Sequence, residues 1–163
     1  MSRTHYVDFR GTGLWAYDVA SSVFLKFLID AADVRTAADS DHWLDESIQH
    51  WRVGAVVTDY GLHLDDDWSQ SQTDTVIVLC RAAAAAILKR GDMPAAEIES
   101  WPMLDGRCIF TRGHDPMPAA PVARFGDAVA TLLEDKLPKP PDRHCWFYTL
   151  DDNVQTIPMR ADA

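Results

Sequence analysis

The longest run of apolar residues, Gln70 to Gly91, predicts a helix whose two ends are both marked in the sequence. Ser69 and Gln72 stand at the spacing of a capping box, in which each side chain accepts a hydrogen bond from a backbone N–H of the other residue. Lys89 lies in the last turn, where positive charge meets the negative end of the helix dipole. The closing glycine can adopt a left-handed cap.

Within this helix, residues 75 to 88 are apolar on nearly every face, and Arg81 is their only charge. A helix that is apolar all round is expected to be buried, so we predict a central core helix over residues 70–90. The run is shorter than the about 20 apolar residues that a membrane span needs. The alanines at 82–86 suit close approach to a neighbouring helix.

Three other stretches carry apolar residues at helical spacing. They predict helices over residues 18–32, over residues 42 to about 60 after the capping sequence Asp39-Ser40-Asp41, and over residues 126–137, where Pro138 ends the last one. Residues 92–121 are rich in proline and glycine and predict mainly loop, which is also typical of an exposed functional segment.

Strands are predicted where β-branched and aromatic residues cluster between turn residues. These are residues 4–10, 107–111, 144–150 and 154–159, the last two forming a hairpin around residues 151–153. The length fits one domain over residues 1–163. We therefore predict an α+β fold, with about four helices around the central buried helix and a small, mainly antiparallel sheet.

The formal net charge is −10, and most of it falls in one segment. Residues 39–67 contain eight acidic residues against one base, Arg52. This balance argues against nucleic acid or an anionic membrane as a direct partner. It favours either a basic protein partner or plain solubility.

The cysteines and the N-terminus indicate the compartment. Cys80, Cys108 and Cys145 are an odd number without a CxxC spacing, which predicts reduced core thiols. The N-terminal sequence has no apolar run after its arginines and so does not predict a secretory signal. We expect a cytoplasmic protein.

Motifs of catalysis are sparse. None of the six histidines pairs with another at the i, i+4 spacing that places two imidazoles on one metal ion, and no G-x-S-x-G or nucleotide-binding glycine motif occurs. His63 beside residues 65–67, or His114 beside Asp115, could still serve a small hydrolase or a metal-dependent enzyme. We predict no cofactor and no metal, with that enzyme as the alternative.

A family resemblance rests on several strings of the chain: WRVGAVVTDYGLHLDDDWSQSQ from Trp51, EIESWPMLDGR, TRG, and APVARFGDAVATLLEDKLPKPP with Trp146 beyond. Over residues 51–148 this pattern resembles the immunity proteins of bacterial contact-dependent growth inhibition and related polymorphic toxin systems. The resemblance implies a non-enzymatic cytoplasmic protein that binds and blocks the toxin domain of its cognate effector, often a nuclease. It carries no contact residues over to this chain.

Contact residues are instead predicted from the acidic segment and from the exposed loop. A basic nuclease would dock against carboxylates, and tryptophan is favoured at interface hot spots. The predicted toxin-binding residues are Asp65, Asp66, Asp67, Trp68, Asp45, Glu46 and Asp59, with His114 and Asp115 in a second contact over residues 112–118. A third possibility is a structural module that self-associates through exposed tryptophans.

Overall fold

The computed structural model describes residues 3–38 and 42–160 and has an α+β architecture, as the sequence predicts. In chain order the elements are β1 (Thr4–Phe9), β2 (Thr12–Tyr17), α1 (Asp18–Ala38), α2 (His42–Val56), α3 (Gln70–Arg90), α4 (Ala95–Ser100), α5 (Ala119–Leu133), β3 (His144–Tyr148) and β4 (Gln155–Pro158). The predicted capping sequence before α2 lies outside the described residues.

The sheet joins the two ends of the chain in the order β1-β2-β3-β4. Both outer pairs are antiparallel, and the central pair is parallel, with Trp15 opposite Phe147. The prediction of a mainly antiparallel sheet is therefore confirmed. Strand β2 is absent from the prediction; it follows a tight turn in which Arg10 and Gly11 both have positive φ, as hairpin turns of this kind require.

The helix at the centre of the fold is α1, and not α3 as the apolar pattern predicts. Residues 18–25 are all buried, because α1 packs against α2, α3, α5 and the sheet. Phe24 forms an edge-to-face pair with Phe125 of α5, with 5.5 Å between the ring centroids. Helix α1 thus lies where the layers meet, and it runs six residues beyond its predicted end.

Helix α3 has the predicted ends but buries one face only. The capping box between Ser69 and Gln72 is formed, and Gly91 caps the other end with φ of 75°. Val78 and Leu88, however, are 62% and 56% exposed. An alanine side chain buries little apolar area, so the alanine run does not force the helix into the core. By length and composition the helix could cross a membrane, although a core helix passes the same test.

Helix α5 begins seven residues before the predicted start. Pro121 lies in its first turn, where a missing N–H breaks no helical hydrogen bond, and the N–H of Ala119 donates to Asp92 at 2.9 Å. Gly126, the predicted start, lies in mid-helix, where the missing side chain leaves room for Phe24 of α1, since a Cβ there would be 2.5 Å from its ring. The helix ends before Asp135, whose φ is 58°.

Three further features differ from the prediction: the end of one helix, a missing strand and an additional short helix. Helix α2 ends at Val56, where the chain turns and the N–H of Tyr60 donates to the carbonyl of Val57 at 3.0 Å. No strand forms over residues 107–111; Arg107 makes an isolated bridge with Leu104. The short helix α4 lies in the stretch predicted as loop, because its single turn of apolar spacing is too brief to stand out between two prolines.

Candidate functional site

An acidic cleft opens between α2 and the segment that leads into α3. Its volume is about 130 Å³. It is lined by Trp43, Glu46, Ser47, His50, His63, Asp65, Asp67, Trp68 and Gln72. The cleft brings three of the predicted toxin-binding carboxylates to one opening.

The segment that forms the far wall is fixed to α2 by buried contacts. The indole of Trp51 donates a hydrogen bond to the carbonyl of His63, with 2.9 Å between nitrogen and oxygen. Gly54 and Gly61 approach so closely that a Cβ on Gly54 would overlap the carbonyl of Gly61. This contact brings residues 61–68 back along the helix that they follow.

The carboxylates have little to neutralise them. Asp65 accepts a hydrogen bond from the backbone N–H of Asp67 at 2.9 Å, which fixes the turn that presents both side chains. Glu46 lies 3.6 Å from the imidazole of His42, and both side chains are largely exposed. Among the described residues neither Asp65 nor Asp67 has an ion pair with a base.

Two histidines lie side by side in the cleft. The rings of His50 and His63 are 4.9 Å apart between centroids, and Nδ1 of His50 is 3.2 Å from the hydroxyl of Tyr60. His50 is absent from the predicted site. Its spacing could have revealed it, because Trp43, Glu46 and His50 recur every three or four residues along one face of α2.

The remaining acidic residues of the prediction lie outside the cleft. Asp66 accepts a hydrogen bond from the backbone N–H of Arg10 at 2.7 Å, and the Arg10 guanidinium donates to the carbonyl of Trp68 at 2.6 Å. Asp66 therefore fastens its loop to the β1–β2 turn. Asp45 and Asp59 are exposed but do not line the cleft.

Trp68, one of the predicted toxin-binding residues, is not exposed at the surface as that role requires. Its side chain is 4% exposed, and its ring packs edge-to-face on Trp43, with 6.1 Å between the centroids. Phe9 of β1 covers it from another side, at 6.3 Å. A large aromatic ring stabilises the folded state more when it is buried in such a cluster than when it lies on the surface. Trp68 supports the wall of the cleft from within.

The second predicted contact, His114 and Asp115, lies in different surroundings. Nε2 of His114 is 3.3 Å from the hydroxyl of Tyr17, while Asp115 accepts a hydrogen bond from the backbone N–H of Ala95 at 3.1 Å. The two side chains are thus held by different partners, and they do not form an acid–base pair. A separate cavity of about 310 Å³ beside His114 is lined by Arg3, Tyr17, Phe110 and Arg112. Its charge is basic, and it shares no lining residue with the acidic cleft.

A larger cavity, about 470 Å³, lies between the β1–β2 turn and the facing ends of α3 and α5. Its charged lining mixes both signs: Arg10, Lys136, Asp74, Glu134 and Asp135. It contains none of the predicted site residues. Size alone therefore does not make it the site, and the acidic cleft combines more of the groups that recognise a charged partner.

Candidate metal ligands do not converge in the part of the chain that the structure describes, since no group of three His, Cys, Asp or Glu side chains is suitably placed there. The cysteines are also dispersed. Cys80 is buried, whereas Cys108 is exposed and Cys145 partly so, which corrects the prediction of three core thiols.

Comparison with known proteins gives no relative. No family model matches the chain, and neither a curated protein nor a solved structure matches it significantly.

Proposed function

We propose that this protein is a non-enzymatic immunity protein that binds a toxin domain and neutralises it by stoichiometric occlusion. The observation that carries the proposal is the convergence of Glu46, Asp65 and Asp67 on one cleft, with no lysine or arginine among the described residues that line it. The resemblance of residues 51–148 to immunity proteins of polymorphic toxin systems supports the same class. Its partner is a basic toxin domain in the cytoplasm, and we infer a nuclease.

The chemistry of such a partner fits the cleft. A nuclease holds phosphate groups with arginine and lysine side chains, so its active-site face is basic. The carboxylates of the cleft offer oxygen acceptors to these cations in place of phosphate oxygens. The rings of Trp43, His50 and His63 add flat faces on which a guanidinium can stack.

Long-range attraction assists the encounter. With a net charge of −10, the protein attracts a basic domain from a distance, and the association rate then falls as salt increases. Exposed carboxylates outside the cleft, such as Asp45 and Asp59, contribute mainly to this rate. The cleft carboxylates contribute to the lifetime of the complex, because they lose water when the partner is bound.

The test is to co-express this chain with the C-terminal domain of the effector encoded immediately upstream. We expect a one-to-one complex on size-exclusion chromatography with light scattering, and loss of that domain's toxicity. A folded effector domain that neither binds this protein nor loses its toxicity in its presence would overturn the proposal. A toxin variant without nuclease activity serves as the control for expression and folding.

The alternative, a small hydrolase or metal-dependent enzyme at His63 or His114, has less support. Neither imidazole is hydrogen-bonded to a carboxylate among the described residues, and Asp115 binds the backbone of α4 instead. The pairing of His50 with His63 is the one arrangement in its favour. Metal analysis of the purified protein and a hydrolase substrate screen test this alternative. Bound metal, or hydrolysis that is lost in the His63→Ala control, would favour it.

A further inference from the structure

Helix α3 has an apolar face that no other part of the described chain covers. The buried face of the helix consists of Thr73, Val76, Leu79, Cys80, Ala83, Ala84 and Ile87. On the opposite side Val78, Ala82, Ala85 and Lys89 follow one another at intervals of four, three and four residues, which is the spacing of a helix–helix seam. We call Val78, Ala82 and Ala85, with Leu88 at their edge, the outer face of α3.

The outer face carries opposite charges at its two ends. Asp74 lies one turn before Val78, and Lys89 lies one turn after Ala85; both are exposed, and neither has an ion pair among the described residues. The other cations of the helix are occupied, since Arg81 binds two acidic residues of the α5 segment and Arg90 binds Glu97. Asp74 does accept a hydrogen bond from the side chain of Gln70 at 2.8 Å, one turn earlier on the same helix. The outer face is thus an apolar stripe with an exposed acid near one end and an exposed base near the other, neither of them in an ion pair among the described residues.

We propose that the outer face of α3 binds the same face of a second copy of this chain, with the two helices antiparallel. In that arrangement Asp74 of each chain lies near Lys89 of the other, so the two-fold symmetric contact contains the attractive pair twice. A parallel arrangement would place like charges together at both ends. Antiparallel helices also bring opposite ends of their dipoles together.

The alanines determine how closely the two helices pack. Interaxial distances of about 8–10 Å depend on the side chains at the contact, and Ala82 and Ala85 at the crossing point favour the short end of that range. Val78 and Leu88 then supply the larger apolar contacts at either side. A contact one helix wide falls at or below the about 1,200 Å² of weak protein interfaces, so we expect dissociation in the micromolar range.

A membrane is a poorer occupant of this face. Of the apolar window in α3, 39% is already buried within the protein, where α3 packs against α1 and α5. Insertion of the helix into lipid would expose the core that it covers. Self-association requires no such rearrangement and leaves the acidic cleft free, because the two sites share no residue.

The first test measures the mass of the full chain by sedimentation equilibrium from micromolar to submillimolar concentration. We expect a monomer–dimer equilibrium. Ala82→Glu places two like charges beside the symmetry axis and should raise the dissociation constant by at least about tenfold. Ala120→Glu is the matched control, since Ala120 is exposed in the first turn of α5 and should leave the equilibrium unchanged. Thermal unfolding confirms that both variants are folded.

A charge exchange tests the orientation. Asp74→Lys and Lys89→Asp should each weaken the dimer roughly tenfold, because each turns two attractive pairs into repulsive ones, and the double variant should restore it. A chain that stays monomeric at every concentration overturns the proposal, as does binding to lipid vesicles without dimer formation. A dimer that the double variant fails to restore overturns the antiparallel arrangement.

Discussion

The carboxylate of Asp18 and the guanidinium of Arg112 form a buried ion pair across 94 residues of sequence. Oδ2 of Asp18 accepts hydrogen bonds from Nη2 at 2.6 Å and from Nε at 3.0 Å. The side chains are 2% and 12% exposed. The pair holds the loop of residues 112–118 against the first turn of α1, so the position of His114 depends on it.

We expect Arg112→Met to destabilise the protein by about 3–5 kcal/mol, because it leaves the Asp18 carboxylate buried without its counter-charge. Urea unfolding followed by circular dichroism measures the loss. Lys136→Met is the control, since its side chain is 74% exposed and its ion pair with Glu134 spans 3.9 Å, and it should cost under about 1 kcal/mol. Equal losses in free energy of unfolding in the two variants would show that the buried ion pair contributes no more to stability than an exposed one.

The acidic cleft predicts which carboxylates hold the toxin domain. Glu46→Gln with Asp67→Asn should accelerate dissociation of the complex and reduce affinity at least about tenfold, because the partner's cations lose their acceptors. Surface plasmon resonance at several salt concentrations measures both rates. Asp142→Asn with Asp152→Asn changes the net charge equally at exposed positions and is the control.

In that control pair we expect a modest fall in association rate and an unchanged dissociation rate. If the cleft pair and the control pair behave alike, the toxin domain does not use the cleft, although the protein could still neutralise it from another surface. If both pairs of variants still bind the toxin domain and still protect cells from it, the interface is misplaced but the proposed function stands.

Stability should fall below neutral pH because of His5. Burial lowers the pKa of His5 from 6.5, with Asp18 acting in the opposite sense, and neither ring nitrogen has a hydrogen-bond partner among the described residues. The unfolded chain binds a proton below pH 6.5 while the folded chain does not. The contribution of His5 to the free energy of unfolding is therefore constant above pH 6.5. It declines as the pH falls from 6.5 towards the lowered pKa of the folded state.

Within that window the decline amounts to at most about 1.4 kcal/mol per pH unit. Urea unfolding of the protein and of His5→Phe at a series of pH values tests this, because phenylalanine cannot be protonated. The stability difference between the two proteins should change below pH 6.5 in favour of the variant. A difference that is constant with pH would contradict the assignment to His5.

The contact between Gly54 and Gly61 predicts an unusual glycine effect. Alanine in place of glycine normally stabilises a helix by up to about 1 kcal/mol. Gly54→Ala should instead destabilise α2 by more than about 2 kcal/mol, because its Cβ would overlap the carbonyl of Gly61. Gly106→Ala, where φ is 74° but the space is open, should cost about 1 kcal/mol. Chemical denaturation ranks the two.

Thiol reactivity should follow exposure. Burial raises the pKa of Cys80, which keeps it as an unreactive thiol, whereas Cys108 is exposed. Iodoacetamide labelling followed by peptide mass spectrometry should modify Cys108 first, Cys145 next and Cys80 only after denaturation. Early labelling of Cys80 in the folded protein would mean that α3 separates from α5 more readily than its packing indicates.

Short-range chemistry explains where prediction from sequence succeeded. The ends of α3 followed from Ser69, Gln72 and Gly91, because a cap depends on residues within one turn of each other. The hairpin of β3 and β4 followed from clusters of β-branched and aromatic residues on both sides of the turn residues 151–153. Prediction missed the early start of α5 because Pro121 resembles a helix breaker until its position in the first turn is known.

The candidate site was predictable in part. The acidic residues at 65–67 and on α2 were evident from charge density, and three of them do line one cleft. Trp68 was misjudged because the sequence does not reveal that Phe9 and Trp43 cover it. His50 was missed because its neighbour, His63, lies thirteen residues away along the chain and beside it only after folding.

By itself, the sequence determined the fold class, the ends of α3, the strands β1, β3 and β4 and the concentration of negative charge, all of which depend on neighbouring residues and on composition. Only the tertiary structure decided that α1 is central, that α3 keeps an exposed apolar face and that Asp18 meets Arg112. The physical reason is that burial is a property of pairs of surfaces. Which of two apolar helices is covered depends on what packs against it, and residues far apart in the chain supply that covering.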